Sequence, residues 1–242
     1  MALASRKLLI VLTAAVLFMA LLWLLGFGFG HEQRLSRWLG HPFLGSTVYF
    51  GTWVVFVGTL VFGLGIPYIA AHFVLHQPLR DFGFSLGETS QGAAWLLVLI
   101  PVYVLAPLGS AFIGSEHYYT YLVEPGFLTP GHVAVHLVSY AMFAFGFEGL
   151  FRGFLLFGLT QALGGSRGAQ WAAVLVATAL SACCLVGLPW IFAVSALLAG
   201  VPAGFLNLRL RSFVYFAFIH WSVGIWSDVW EILKLNVAHR MW

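Results

Sequence analysis

From Leu8 to Gly30 the chain carries no charged residue. A helix crossing the hydrocarbon core of a bilayer needs about 20 such residues. A secretory signal has an apolar core of only about 7–15 residues and a small-residue cleavage site. This run is longer and shows no convincing site, so it is read as a retained first transmembrane helix behind Arg6 and Lys7. Six further apolar runs follow, at 46–75, 93–114, 131–163, 169–186, 188–206 and 213–234. The expected fold is therefore all-α: a polytopic membrane protein of about seven transmembrane helices.

Composition agrees with that reading. Only 8% of the residues are charged and 61% are hydrophobic, whereas a soluble domain carries about 25% charge. The net charge of +3 is spread thin. Nothing forms the basic stripe that tracks a phosphate backbone, so nucleic acid is excluded as a partner. The bilayer itself is the first partner. Cys183 and Cys184 are adjacent in an apolar run and read as packing residues.

The run at 131–163 is too long for one plain span. It is expected to start near Pro130-Gly131, pass Arg152 and stop at Gly164-Gly165. The next two runs are separated by Gly187-Leu188-Pro189 and predict a helical hairpin. Pro101, Pro107 and Pro202 lie inside runs and are expected to kink or break those helices. The longest polar loops are 76–92 and 115–130, and Asn207, Arg209 and Arg211 read as a loop before the last span. Arg6, Lys7, Arg80, Arg167, Arg209 and Arg211 fall on one side of this topology. Arg34, Arg37, Lys234 and Arg240 fall on the other, which favours a cytoplasmic N-terminus.

Two charges sit inside the fourth run, in Phe147-Glu148-Gly149-Leu150-Phe151-Arg152-Gly153. A charge at bilayer depth costs about 2.5–3.5 kcal/mol on insertion scales. At a spacing of four, a carboxylate and a guanidinium share one helical face and can neutralise each other. Glu148 and Arg152 are thus candidates for a catalytic carboxylate held by an arginine, or for a structural ion pair. His220 lies mid-helix in the last run. A neutral imidazole there can polarise a substrate or hold a carboxylate, or simply join two helices.

The pairs His72/His76 and His132/His136 also have the spacing of four, which presents two rings on one face and suits a haem or pigment ligand. Both lie near run ends and lack the intervening glutamate of a zinc-protease pattern. No metal site is expected. Over an ideal helix His136 and Glu148 are turned about 120° apart, so they are expected on different faces. Asp228 and Glu231, beside Trp226 and Trp230, read as interfacial.

Glu148-Gly149-Leu150-Phe151-Arg152-Gly153-Phe154-Leu155 resembles the second half of the EExxxRG motif of the CAAX-protease and bacteriocin-processing (CPBP) family of glutamate intramembrane endopeptidases. Asp81-Phe82-Gly83-Phe84 is similar to the loop before that family's core helices. Gly200, Gly204, the stretch Leu206 to Ser212 and His220 are similar to its glycine-rich helix, basic loop and final HxxxN helix. The likeness covers about 80–235. In the family a glutamate and a histidine activate water, while His and Asn of the last helix stabilise the oxyanion. Phe147 stands where the family has its first glutamate. In the family's FxxxH motif, Ser181 replaces the phenylalanine and Leu185 the histidine, and Gly224 replaces the final asparagine.

Losing one oxyanion donor alone can cost about 2.7–4 kcal/mol of transition-state stabilisation. The resemblance therefore implies a CPBP-like core at 80–235, preceded by N-terminal helices at 1–79 and followed by a tail at 236–242. It implies a non-catalytic scaffold, assembly factor or subunit working with other membrane proteins and no cofactor. An active endopeptidase using Glu148 and His220 is the alternative, and a pigment- or haem-binding subunit the second. The expected location is the bacterial inner membrane.

Overall fold

A computed structural model describes residues 2–25, 47–112, 129–185 and 190–240. Among them every regular element is helical and no strand occurs. The helices are α1 (Ala2–Leu24), α2 (Thr47–Ile69), α3 (Thr89–Phe112), α4 (Pro130–Glu148), α5 (Leu156–Ala162), α6 (Arg167–Cys183), α7 (Trp190–Leu210) and α8 (Val214–Arg240). A π-helical turn, Ala70–Val74, extends α2, and a longer one, Gly149–Leu155, joins α4 to α5. The expected turn at 187–189, most of the 115–130 loop, Arg34 and Arg37 lie outside the described residues.

Local chemistry sets the helix ends. Pro130 opens α4, where a missing N–H costs nothing, and the Thr129 hydroxyl accepts from the His132 N–H at 3.3 Å. Ser166 caps α6 in the same way, accepting from Ala169 N–H at 3.2 Å. The stop after α5 falls where it was expected: Gly164 and Gly165 take positive φ angles of 87° and 71°, a region open to glycine.

Two expectations need correction. Pro101, Pro107 and Pro202 do not end their helices, since α3 and α7 run through them. Neighbouring helices make proline tolerable in such a setting. Nor do Asn207 and Arg209 form a loop. Helix α7 continues to Leu210, Asn207 is fully buried, and the chain turns only at Arg211, with φ of 53°.

Helical segments occupy all seven of the expected runs. Four stretches are long and apolar enough to cross a membrane: Ala4–Leu24, Gly51–Val74, Pro130–Ala162 and Ala193–Leu210. The apolar part of α3 is shorter, at Thr89–Val102. Helix α6 has 17 residues, roughly 25 Å at 1.5 Å per residue, and α8 carries several polar side chains.

Around an apolar core, several large apolar side chains face outward while a few charged ones are buried. Leu9, Leu24, Leu97 and Leu198 are exposed, whereas Glu148, Arg152, His136 and Asp228 are buried. Helix α6 shows a similar division within one element. Its inner face is Ala173, Ala177, Thr178 and Ser181, and its outer face is Trp171, Leu175 and Val176. Small inner residues let helices approach closely where lipid removes the hydrophobic drive for burial. Helices α2 and α4 touch backbone to backbone: a Cβ on Gly63 would lie 2.1 Å from the Gly146 carbonyl oxygen.

Helix α4 packs against both α2 and α8, α3 lies against α8, and α6 pairs with α7 as the hairpin reading predicted. Cys184 is buried in the core, but Cys183 is exposed, so the packing reading holds for only one of them.

Candidate functional site

Helices α4 and α8 run antiparallel and meet along two rows of residues spaced by four. His136 faces Asp228, Tyr140 lies on Gly224, and Glu148 faces His220. Rows of i±4n residues form ridges inclined to the helix axis, and packing such ridges together is a common helix contact. This inclination corrects the expectation that His136 and Glu148 belong to different faces. A neighbour crossing along the ridge meets both, although they are far apart in angle about the axis.

Glu148 ends α4, and the wide turn Gly149–Leu155 begins at the next residue. Its Oε1 lies 2.7 Å from His220 Nδ1. A ring Nδ1–H can donate to the Glu148 carboxylate across this contact. The Arg152 contact is looser than the spacing of four implies: Nε and Oε2 are 3.8 Å apart, beyond hydrogen-bonding range. A π turn changes the angular offset between residues, and Arg152 reaches for α6 instead. Its Nη1 donates to Ser181 Oγ at 3.0 Å and lies 3.5 Å from the Ala177 carbonyl oxygen. Ser181 has its own proton on the Thr178 carbonyl, at 2.9 Å, which leaves its lone pairs for the arginine. Gly200 of α7 makes room, since a Cβ there would lie 2.7 Å from Arg152 Nη2.

Aromatic rings close around His220. Phe143, Phe147 and Tyr140 stand nearly perpendicular to its ring, at centroid distances of 5.8, 5.9 and 6.4 Å. Phe147 is itself buried between Phe143 and Phe151. The His220 side chain keeps 25% of its surface exposed.

The second pair was missed in the sequence. Asp228 was read as interfacial, yet it is only 5% exposed, and its Oδ2 lies 2.7 Å from His136 Nε2. The available signal was the steps of four or eight along 136, 140, 148 and of four along 220, 224, 228. The pairs are of opposite sense, with the acid on α4 in one and on α8 in the other. Indole hydrogen bonds support the same helix. Trp221 Nε1–H donates to the Leu137 carbonyl at 2.9 Å and Trp230 Nε1–H to Val104 at 3.0 Å.

Histidines of both pairs have other partners. His136 has a ring nitrogen on Asp228, whereas His132 Nδ1 lies 2.6 Å from the Thr129 hydroxyl. His72 stacks on Tyr68 with ring centroids 5.5 Å apart. His76 lies beyond the end of the π turn and has φ of 53°. The spacing of four joins rings only inside a continuous helix, and the helix stops between His72 and His76, whereas His132 and His136 both lie within α4. Among the described residues, no three His, Cys, Asp or Glu side chains are grouped as a metal site.

Lys7, counted in the sequence as a flanking charge, is 9% exposed. Its ammonium donates to Gln77 Oε1 at 2.6 Å and to Gln161 Oε1, and it lies 5.0 Å from the Phe82 ring centroid. Gln161 in turn donates to the Asp81 carbonyl at 2.6 Å.

Among the described residues the fold is all-helical, with four helices long and apolar enough to cross a membrane and a buried polar seam. No protein-family model, curated protein or solved structure matches the chain.

Proposed function

We propose that the chain is a non-catalytic membrane protein with a CPBP-like core, serving as a scaffold, assembly factor or subunit of a membrane complex. The observation that carries this reading is Phe147, buried in an aromatic stack at the position where the resembled family has its base. The other departures support it. Ser181 serves as a partner of Arg152. Leu185 lies beyond the end of α6 and packs on the core. Gly224 lies under the Tyr140 ring, which a Cβ would meet at 2.0 Å. In this reading the seven helical runs all serve as spans, and the protein resides in a bacterial inner membrane with its N-terminus in the cytoplasm.

One feature favours the second reading, an active endopeptidase. Glu148 orients His220, and a carboxylate-held imidazole that is partly exposed can exchange a proton. A peptide-cleavage assay on purified protein in lipid separates the two. The first reading predicts no cleavage above background for wild type or Glu148→Gln. Cleavage by wild type that disappears in Glu148→Gln contradicts it.

A further inference from the structure

We infer that the chain holds an ordered internal water between Glu148 and Arg152, in a small polar site walled by α6 and α7. Three polar side-chain atoms of neighbouring residues have no hydrogen-bond partner in the protein: Glu148 Oε2, Arg152 Nε and Thr178 Oγ1. All three residues are at least 97% buried. Buried polar atoms are nearly always satisfied by protein or by water, and an unsatisfied charged group is especially costly.

The geometry selects the ligand. Arg152 Nε and Glu148 Oε2 stand 3.8 Å apart. That gap is too long for a direct bond and suits one molecule that accepts from Nε–H and donates to Oε2. Water does both with one oxygen. An inorganic anion would meet the carboxylate with like charge, and a cation would meet the guanidinium. An apolar molecule would leave all three atoms unsatisfied.

The third wall is Thr178. A Cβ placed on Gly200 would lie 2.7 Å from Arg152 Nη2 and 3.1 Å from Thr178 Oγ1, so the hydroxyl and the guanidinium border the same place. The same Cβ would lie 2.6 Å from Thr178 Cγ2, so glycine at 200 lets α7 close onto these groups. A water needs two to four polar partners in such a site. Nε, Oε2 and the threonine hydroxyl supply them. His220 and Ser181 remain outside, because they bind Glu148 Oε1 and Arg152 Nη1.

The test is an experimental map of the full-length wild-type protein in lipid nanodiscs, at a resolution that shows ordered water. The expected result is a density peak at about 2.7–3.2 Å from both Arg152 Nε and Glu148 Oε2, persisting in a Ser181→Ala variant. The inference is overturned by a direct Nε–Oε2 hydrogen bond with no peak, or by a 3.8 Å gap with no density in it. A peak that vanishes in Ser181→Ala also overturns it, because the water would then depend on a residue outside the site.

Discussion

At the residue scale, two side chains show how closely the seam is filled. The Tyr140 ring occupies the place where any β-carbon on residue 224 would stand. Gly224→Asn should therefore destabilise the protein by about 1–3 kcal/mol, the usual cost of overpacking. Adding Tyr140→Ala should relieve part of that loss. Thermal unfolding in detergent measures both, and a Gly224→Asn protein as stable as wild type would refute the packing described. Phe147 faces a different constraint. Phe147→Glu would bury a carboxylate between Phe143 and Phe151, and a sharp fall in folded yield is expected.

At the element scale, α4 and α8 are registered by two acid–histidine pairs of opposite sense. Exchanging one pair, His136→Asp with Asp228→His, should recover much of the stability lost by either single change. Coupled contacts of this kind show interaction energies of about 0.5–3 kcal/mol in double-mutant cycles. Strict additivity of the two single changes would contradict the pairing. The same elements mark the limit of sequence reading. The long helix from Pro130 and its stop at Gly164-Gly165 were legible because capping and glycine chemistry are local. The Asp228–His136 pair was not, because a helical wheel projects along the axis and misses a contact ridge inclined to it. Nor were the π turns visible: they leave the apolar pattern unchanged and alter only the angle at which Arg152 emerges.

At the scale of the whole molecule, tertiary contacts gather one set of charges at one end of the bundle. Lys7 binds Gln77 and Gln161, and Gln161 binds the Asp81 carbonyl. Ser85 donates to the Arg211 carbonyl, and Glu88 N–H to that of Leu210. Arg80, Arg209 and Arg211 are exposed nearby. Single cysteines at positions 80, 167 and 209, in a background with Cys183 and Cys184 replaced by Ala, should all react with an impermeant thiol reagent from the same side. Under the positive-inside rule that side is the cytoplasm. Reaction of position 80 from one side and 209 from the other would break the fold described.

The Glu148, Arg152 and His220 cluster is placed to act as an internal brace between α4, α6 and α8. Its most direct test compares the folded yield and thermal stability of Arg152→Leu with those of Arg152→Leu combined with Glu148→Met. The single change leaves a buried carboxylate without its guanidinium, a loss of about 3–5 kcal/mol for a broken buried pair. The double change removes both charges and should recover most of the folded protein, short of wild type because His220 loses its acceptor. A double variant as damaged as the single one would contradict the brace and assign the pair another role.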